Sequence, residues 1–61
     1  MPFTQDIIIE NNDIAITIQN EVKFIQVIFE SFDLDGIIAL DKKMAIDFAN
    51  AILEQTKNLE P

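Results

Sequence analysis

The sequence predicts an α+β fold: a small antiparallel sheet of three to four strands with one C-terminal helix packed on it. Three observations lead to this prediction. Short β-prone segments fill the first forty residues, turn-forming residues separate them, and the last twenty residues carry an amphipathic helical pattern. The prolines are Pro2 and Pro61, at the two ends, and the one glycine is Gly36, so we expect residues 1–61 to form a single domain.

The first two strands are predicted to form a hairpin. Residues 5–10 contain three consecutive isoleucines, which favour a strand. Residues 14–19 place isoleucine at every second position, so one face of this strand is apolar and the other is wetter. Between them, Asn11-Asn12-Asp13 supplies side chains that bond to nearby backbone and tolerate positive φ, as a turn requires.

The third segment, residues 22–30, allows two interpretations. Its Val, Ile and Phe residues favour a strand with apolar side chains on both faces, which would lie in the centre of the sheet. The alternative is a helix with Val22, Ile25, Phe29 and Phe32 on one side, giving a hairpin followed by two helices. We favour the strand because β-branched residues lose χ1 freedom in a helix.

The remainder of the chain is predicted to hold a turn, a short strand and the helix. The predicted turn is Asp33-Leu34-Asp35-Gly36, the fourth strand covers residues 37–40, and the helix covers residues 42–57. Asp41 is the expected N-cap, because its carboxylate can accept a hydrogen bond from an N–H of the first helical turn.

This helix has more apolar surface than one sheet face requires. Its polar side chains form a single stripe when successive residues are placed about 100° apart. Met44, Phe48 and Ile52 face the expected core, whereas Ile46 and Leu53 extend the apolar arc beyond it. We therefore expect self-association, with a two-fold homodimer as the simplest form. The alternative is that the N-terminal segment, with Phe3, folds over the exposed surface.

Composition and charge exclude several classes of function. The chain has no Cys and no His, which excludes disulfides and metal sites built from those residues. Eleven acidic residues against four lysines give a net charge of −7. This balance argues against direct binding to nucleic acid or to anionic membranes, and it favours a partner protein with a basic surface. The N-terminus lacks the features of a signal peptide and the apolar runs are short, so we expect a cytoplasmic protein without a membrane segment.

One motif resembles a metal site in outline. Asp33-Leu34-Asp35-Gly36 followed by a helix is similar to a calcium-binding EF-hand loop. However, with Gly36 at the sixth loop position, the twelfth position is Lys42 instead of the bidentate glutamate. A small calcium-responsive module is therefore the weaker alternative. We predict no metal ligand, no cofactor and no catalytic residue, because the short chain lacks His, Cys, Arg and Tyr to work with its carboxylates.

The acidic residues suggest a function in binding. Several carboxylates flank the predicted turns: Asp6, Glu10, Asp13, Glu30, Asp33, Asp35 and Asp41. On a shared face they would imitate spaced phosphates and occupy the basic groove of a nucleic-acid-binding protein. We predict a non-catalytic acidic protein-binding module, of which a phage-type inhibitor of a basic, nucleic-acid-handling host protein is one concrete version. The predicted partner-binding residues are Glu30, Asp33, Asp35, Asp41, Ile46 and Leu53.

The alternative function is a structural homodimerisation domain without a dedicated ligand. The surplus apolar surface is also typical of such a domain. The strand–turn–strand–helix layout from Val27 to Leu53 is similar to that of many short proteins of bacteria and their phages. That likeness is one of layout and carries no functional motif.

Overall fold

The computed structural model describes residues 5–60, and within them it contains one four-stranded antiparallel sheet and one helix. The elements follow one another as β1 (Ile7–Glu10), β2 (Ile14–Asn20), β3 (Ile25–Ser31), β4 (Asp35–Leu40) and α1 (Lys42–Thr56). Each strand pairs with the next along the chain, so β2 and β3 are central and β1 and β4 are the edges. The predicted α+β class is confirmed, and residues 25–31 form a strand and not a helix.

The β1–β2 hairpin is closed by the predicted asparagine turn. The Oδ1 atom of Asn11 accepts hydrogen bonds from the backbone N–H groups of Asp13 (2.7 Å) and Ile14 (2.9 Å). The N–H of Asn11 donates in turn to the carbonyl of Ile14 at 2.9 Å. One side chain therefore fixes the reversal, and the isoleucine alternation of β2 sets the register of β1 against it.

The third strand begins at Ile25, three residues later than the predicted start at residue 22. The segment from Val22 to Phe24 belongs to the turn between β2 and β3. Asn20 Oδ1 accepts from the N–H of Val22 at 2.7 Å, and the N–H of Glu21 donates to the carbonyl of Phe24 at 3.0 Å. Local bonding by the Asn20 side chain thus prevails over the β-propensity of these residues.

The fourth strand begins at Asp35, so the predicted turn through Gly36 is too long. Ser31 closes the turn instead: both its N–H and its hydroxyl donate to the carbonyl of Leu34, each at 2.9 Å. Gly36 lies within β4 directly opposite Phe29. A Cβ atom added at Gly36 would stand 2.6 Å from the Cζ atom of the Phe29 ring, so this glycine provides the space that the ring occupies.

The helix begins as predicted and ends one residue earlier than predicted. Asp41 is the N-cap, and its Oδ1 accepts from the backbone N–H of Met44 at 2.8 Å. Lys57 is the C-cap. A single residue, Asp41, therefore connects the last residue of β4 to the first residue of α1.

The helix projects from the sheet and leaves both sheet faces open. Among residues 5–60, Val27 and Leu40 are the buried apolar residues, and none of the residues of α1 is buried. Of the strands, α1 approaches mainly β4, and Ala45 is its one partly covered residue. The radius of gyration is 13.1 Å, compared with about 10.5 Å for a compact domain of this length. The helix that was expected to lie across the sheet instead extends the molecule to 41 Å.

Candidate protein-binding surface

The sheet has one face that carries no charge. Strand register places a set of described residues, mostly apolar, on this side, which we call the apolar face. Its members are Ile7, Ile9, Ile14, Ile16, Ile18, Asn20, Ile25, Val27, Phe29, Ser31, Gly36, Ile38 and Leu40. A quarter of all residues in the chain are charged. The absence of charged residues from this face is typical of a surface that packs against another one.

The margins of the apolar face are open to solvent, and its centre is half-buried or buried. Val27, at its centre, is only 5% exposed, because its neighbours on β2 and β4 surround it. Ile7 and Ile9 on the edge strand β1 are 55% and 56% exposed, and Ile14 and Ile38 are exposed as well. Contiguous exposed apolar residues of this kind typically mark a surface for another macromolecule.

The helix presents a second uncovered apolar surface. Met44, Phe48 and Ile52, which were expected to meet the core, are all exposed. The predicted partner-binding residues Ile46 and Leu53 lie on a different side of the helix from these three residues. They are also exposed, at 50% and 63%. We call these five residues the helix arc. The opposite side of α1 is polar and carries two ion pairs, Lys43–Asp47 (2.8 Å) and Lys57–Glu54 (3.3 Å).

Five carboxylates gather at one end of the sheet, which we call the acidic end. Glu30 and Asp35 are direct cross-strand neighbours, and Glu10 lies in the same row, separated from Glu30 by Ala15. The turns at this end add Asp13 and Asp33. The row lies on the face opposite the apolar face, because directly paired residues share a face.

The predicted acidic cluster is therefore only partly assembled. Asp41 follows the far end of β4, six extended residues from Asp35 and hence about 20 Å away. Its carboxylate is committed to capping α1. Asp6 is also distant, because it accepts a hydrogen bond from Gln19 at the same end as Asp41. Sequence proximity to a turn did not reveal which end of the sheet each carboxylate would occupy.

No lysine neutralises the acidic end. Lys23 lies in the β2–β3 turn at the other end of the sheet, and Lys42, Lys43 and Lys57 belong to the two ends of α1. The described ion pairs both belong to α1 and its C-cap residue. Within residues 5–60 there is also no group of three or more acidic side chains placed to hold a metal ion, so the calcium alternative gains no support.

Comparisons with other proteins do not place this chain in a family. No protein-family model, no curated protein and no solved structure matches it. Between residues 5 and 60, α1 is the one helix, and it is too short to cross a bilayer.

The predicted partner-binding residues did not include the apolar face. The alternation of Ile14, Ile16 and Ile18 did indicate an apolar side, but the sequence left open which sheet face the C-terminal helix covers. The missing information was the direction in which α1 leaves β4. That direction makes both the apolar face and the helix arc available at once.

Proposed function

We propose that this chain is a non-catalytic protein-binding module that binds through its apolar face and helix arc. The observation that carries this proposal is the amount of exposed surface. The chain exposes 5627 Å², whereas a compact monomer of 7.0 kDa exposes about 4,000 Å². The excess of about 1,600 Å² is larger than the roughly 800 Å² that each partner contributes to a standard interface.

The proposal includes no catalytic role. Among residues 5–60 no polar or charged side chain is buried. General acid–base chemistry relies on titratable groups held in a water-excluding environment, and the described carboxylates instead lie in solvent. Binding of another macromolecule uses what the chain offers: open apolar area on one face of the sheet and a row of carboxylates on the other.

The acidic end is a separate surface from the apolar face, and it favours a second contact, with a basic partner. Its five carboxylates without a nearby lysine attract positive surfaces and accelerate encounter with them. An inhibitor that occupies the basic groove of a nucleic-acid-handling protein is the concrete version of this proposal. In that version, Glu30, Asp33 and Asp35 make the charged contacts, and Asp41 does not take part.

A matched pair of variants tests the proposal. Ile9 and Ile8 are neighbours on β1 with nearly equal exposure, 56% and 58%, but they point to opposite faces of the sheet. We expect immobilised Ile9→Asp to lose capture of the proteins that the wild type binds, because a carboxylate on the apolar face is desolvated in the complex. Ile8→Asp adds the same charge and is expected to retain them. Equal capture by both variants would refute binding through the apolar face.

Salt separates the two contributions to binding. Capture that depends on the acidic end is expected to weaken steeply as ionic strength rises, because contacts between exposed charges are screened. Asp33→Asn and Asp35→Asn are expected to reduce this salt dependence. A salt-insensitive complex that both substitutions leave unchanged would remove the basic partner from the proposal and keep only the apolar contact.

A further inference from the structure

We infer that the partner on the apolar face is a second copy of this chain, and that the two copies exchange helices. In this homodimer α1 of each copy lies on the apolar face of the other. The inference rests on the proposed function, since it names the occupant of the same surface.

The connection before α1 prevents the helix from covering its own sheet. β4 ends at Leu40 and α1 begins at Lys42, so Asp41 alone makes the connection. Asp41 has an extended backbone (φ −71°, ψ 177°), and its side chain is fixed by the bond to the Met44 N–H. A reversal of the chain over the sheet normally takes a loop of about two to six residues. Short connections of this kind favour exchange of an element between copies.

The dimensions of the helix match those of the apolar face. With 15 residues, α1 is about 22 Å long. The central strands have seven residues each and span about 24 Å, and four strands are about 14 Å wide between the outer two. A helix is about 10–12 Å in diameter with its side chains, so one helix from a second copy covers most of this face.

The apolar face and the helix arc are also complementary in their chemistry. The apolar face has no charged residue, and the side of α1 that would remain outside carries the Lys43–Asp47 and Lys57–Glu54 ion pairs. Ala45 and Ala49 lie on the apolar side of the helix and permit close approach to a sheet. In a two-fold pair each copy gives one helix and receives one, so the assembly closes.

The exposed area matches an obligate dimer. The excess of about 1,600 Å² per chain corresponds to about 3,200 Å² for two copies, within the range of about 2,000–5,000 Å² that obligate homodimers bury. The second copy accounts for it with the two surfaces that the chain itself carries.

The mass in solution is the first test, measured by light scattering coupled to size-exclusion chromatography. We expect about twice the chain mass of 7.0 kDa. Ile9→Asp in the apolar face and Ile52→Asp in the helix arc are expected to give a single-chain mass. Ile8→Asp, on the other sheet face, and Asn50→Asp, on the polar side of α1, add the same charge and are expected to remain dimeric.

Mixing the two monomeric variants tests the exchange itself. In a mixed pair, the intact helix of Ile9→Asp meets the intact apolar face of Ile52→Asp, so we expect half of the interface to re-form and a dimer to reappear. A helix bound to its own sheet gives no such rescue, because each copy then carries one defect. Absence of a mixed dimer, with the strand and helix signals retained in circular dichroism, would overturn the exchange.

Cross-linking covers the case in which a variant does not fold. The chain has no native Cys, so Ile16→Cys combined with Ile52→Cys places one thiol on each surface. A short bis-maleimide is expected to give a covalent dimer on a denaturing gel. Intramolecular cross-linking alone would overturn the inference.

The outcomes distinguish this inference from the proposed function. A monomer that binds an apolar dye and keeps a radius of gyration near 13.1 Å would overturn the second copy but leave the binding surface free for another protein. A monomer with an intramolecular cross-link, no dye binding and a radius near 10 Å, as in a compact domain, would overturn both.

Discussion

At the scale of single residues, Val22 is the described non-glycine residue with positive φ, at 78°. A β-branched side chain is strained in this region because its Cβ atom approaches the following carbonyl oxygen. The side chain is 91% exposed, so packing within the single chain does not offset the strain. The turn is held there by the 2.7 Å bond from the Val22 N–H to Asn20.

Replacing Val22 by Asn is therefore expected to stabilise the protein. Asn tolerates positive φ, and the change should raise the free energy of unfolding by about 1 kcal/mol. Thermal denaturation followed by circular dichroism measures the effect. Val22→Thr is the control, since it remains β-branched and should gain nothing. A Val22→Asn protein no more stable than Val22→Thr would mean that this position is not strained.

Gly36 illustrates what single residues in a sequence do and do not predict. Its position after Asp-Leu-Asp is typical of a turn, and the turn prediction followed from that local chemistry alone. In the structure its use is non-local: it lies opposite Phe29 on an edge strand, where the aromatic ring covers the space without a side chain. Strand register decides whether Gly36 lies in a turn or in a strand, and register is set by residues far away in the chain.

At the scale of elements, Asp41 is the joint between sheet and helix, and its cap is expected to stabilise α1. Asp41→Ala removes the acceptor for the Met44 N–H and should cost about 1 kcal/mol. For a chain of this size that corresponds to a fall of about 4–8 °C in Tm. Asp41→Ser keeps an N-cap acceptor and should lose much less. Equal melting temperatures for Asp41→Ala and Asp41→Ser would contradict the role of the cap.

The hairpin, the cap and the fold class were predictable because each depends on nearby residues. Asn11 indicates the first turn, the isoleucine alternation predicts β2, and Asp41 indicates the start of the helix. The connection of one residue was also present in the predicted boundaries. Its consequence was missed because a linear pattern contains no angle between consecutive elements. The acidic end was only partly foreseen for the same reason, since Asp35 and Asp41 are near in sequence but lie at opposite ends of β4.

At the scale of the whole molecule, a single copy buries little. Val27 and Leu40 are the buried apolar residues of the described chain, and such a core offsets only a small part of the conformational entropy lost on folding. If the two copies fold together, stability depends on concentration. Each tenfold rise in protein concentration should then add about 1.4 kcal/mol to the free energy of unfolding per dimer.

Melting curves recorded over a range of protein concentrations test this expectation. The wild type should melt at a higher temperature as concentration rises, whereas Ile9→Asp should show no such dependence. A melting temperature of the wild type that stays constant across the range would indicate that the single chain is stable by itself.

The small core has a further consequence for how much of this protein a cell must make. If the inferred dimer is the more stable form, the chain at low abundance is mainly the open single copy, which proteases cleave more readily. Above the concentration at which copies meet, the dimer would accumulate and escape degradation. Synthesis rate would then act as a threshold, with little active protein below it and rapid build-up above it.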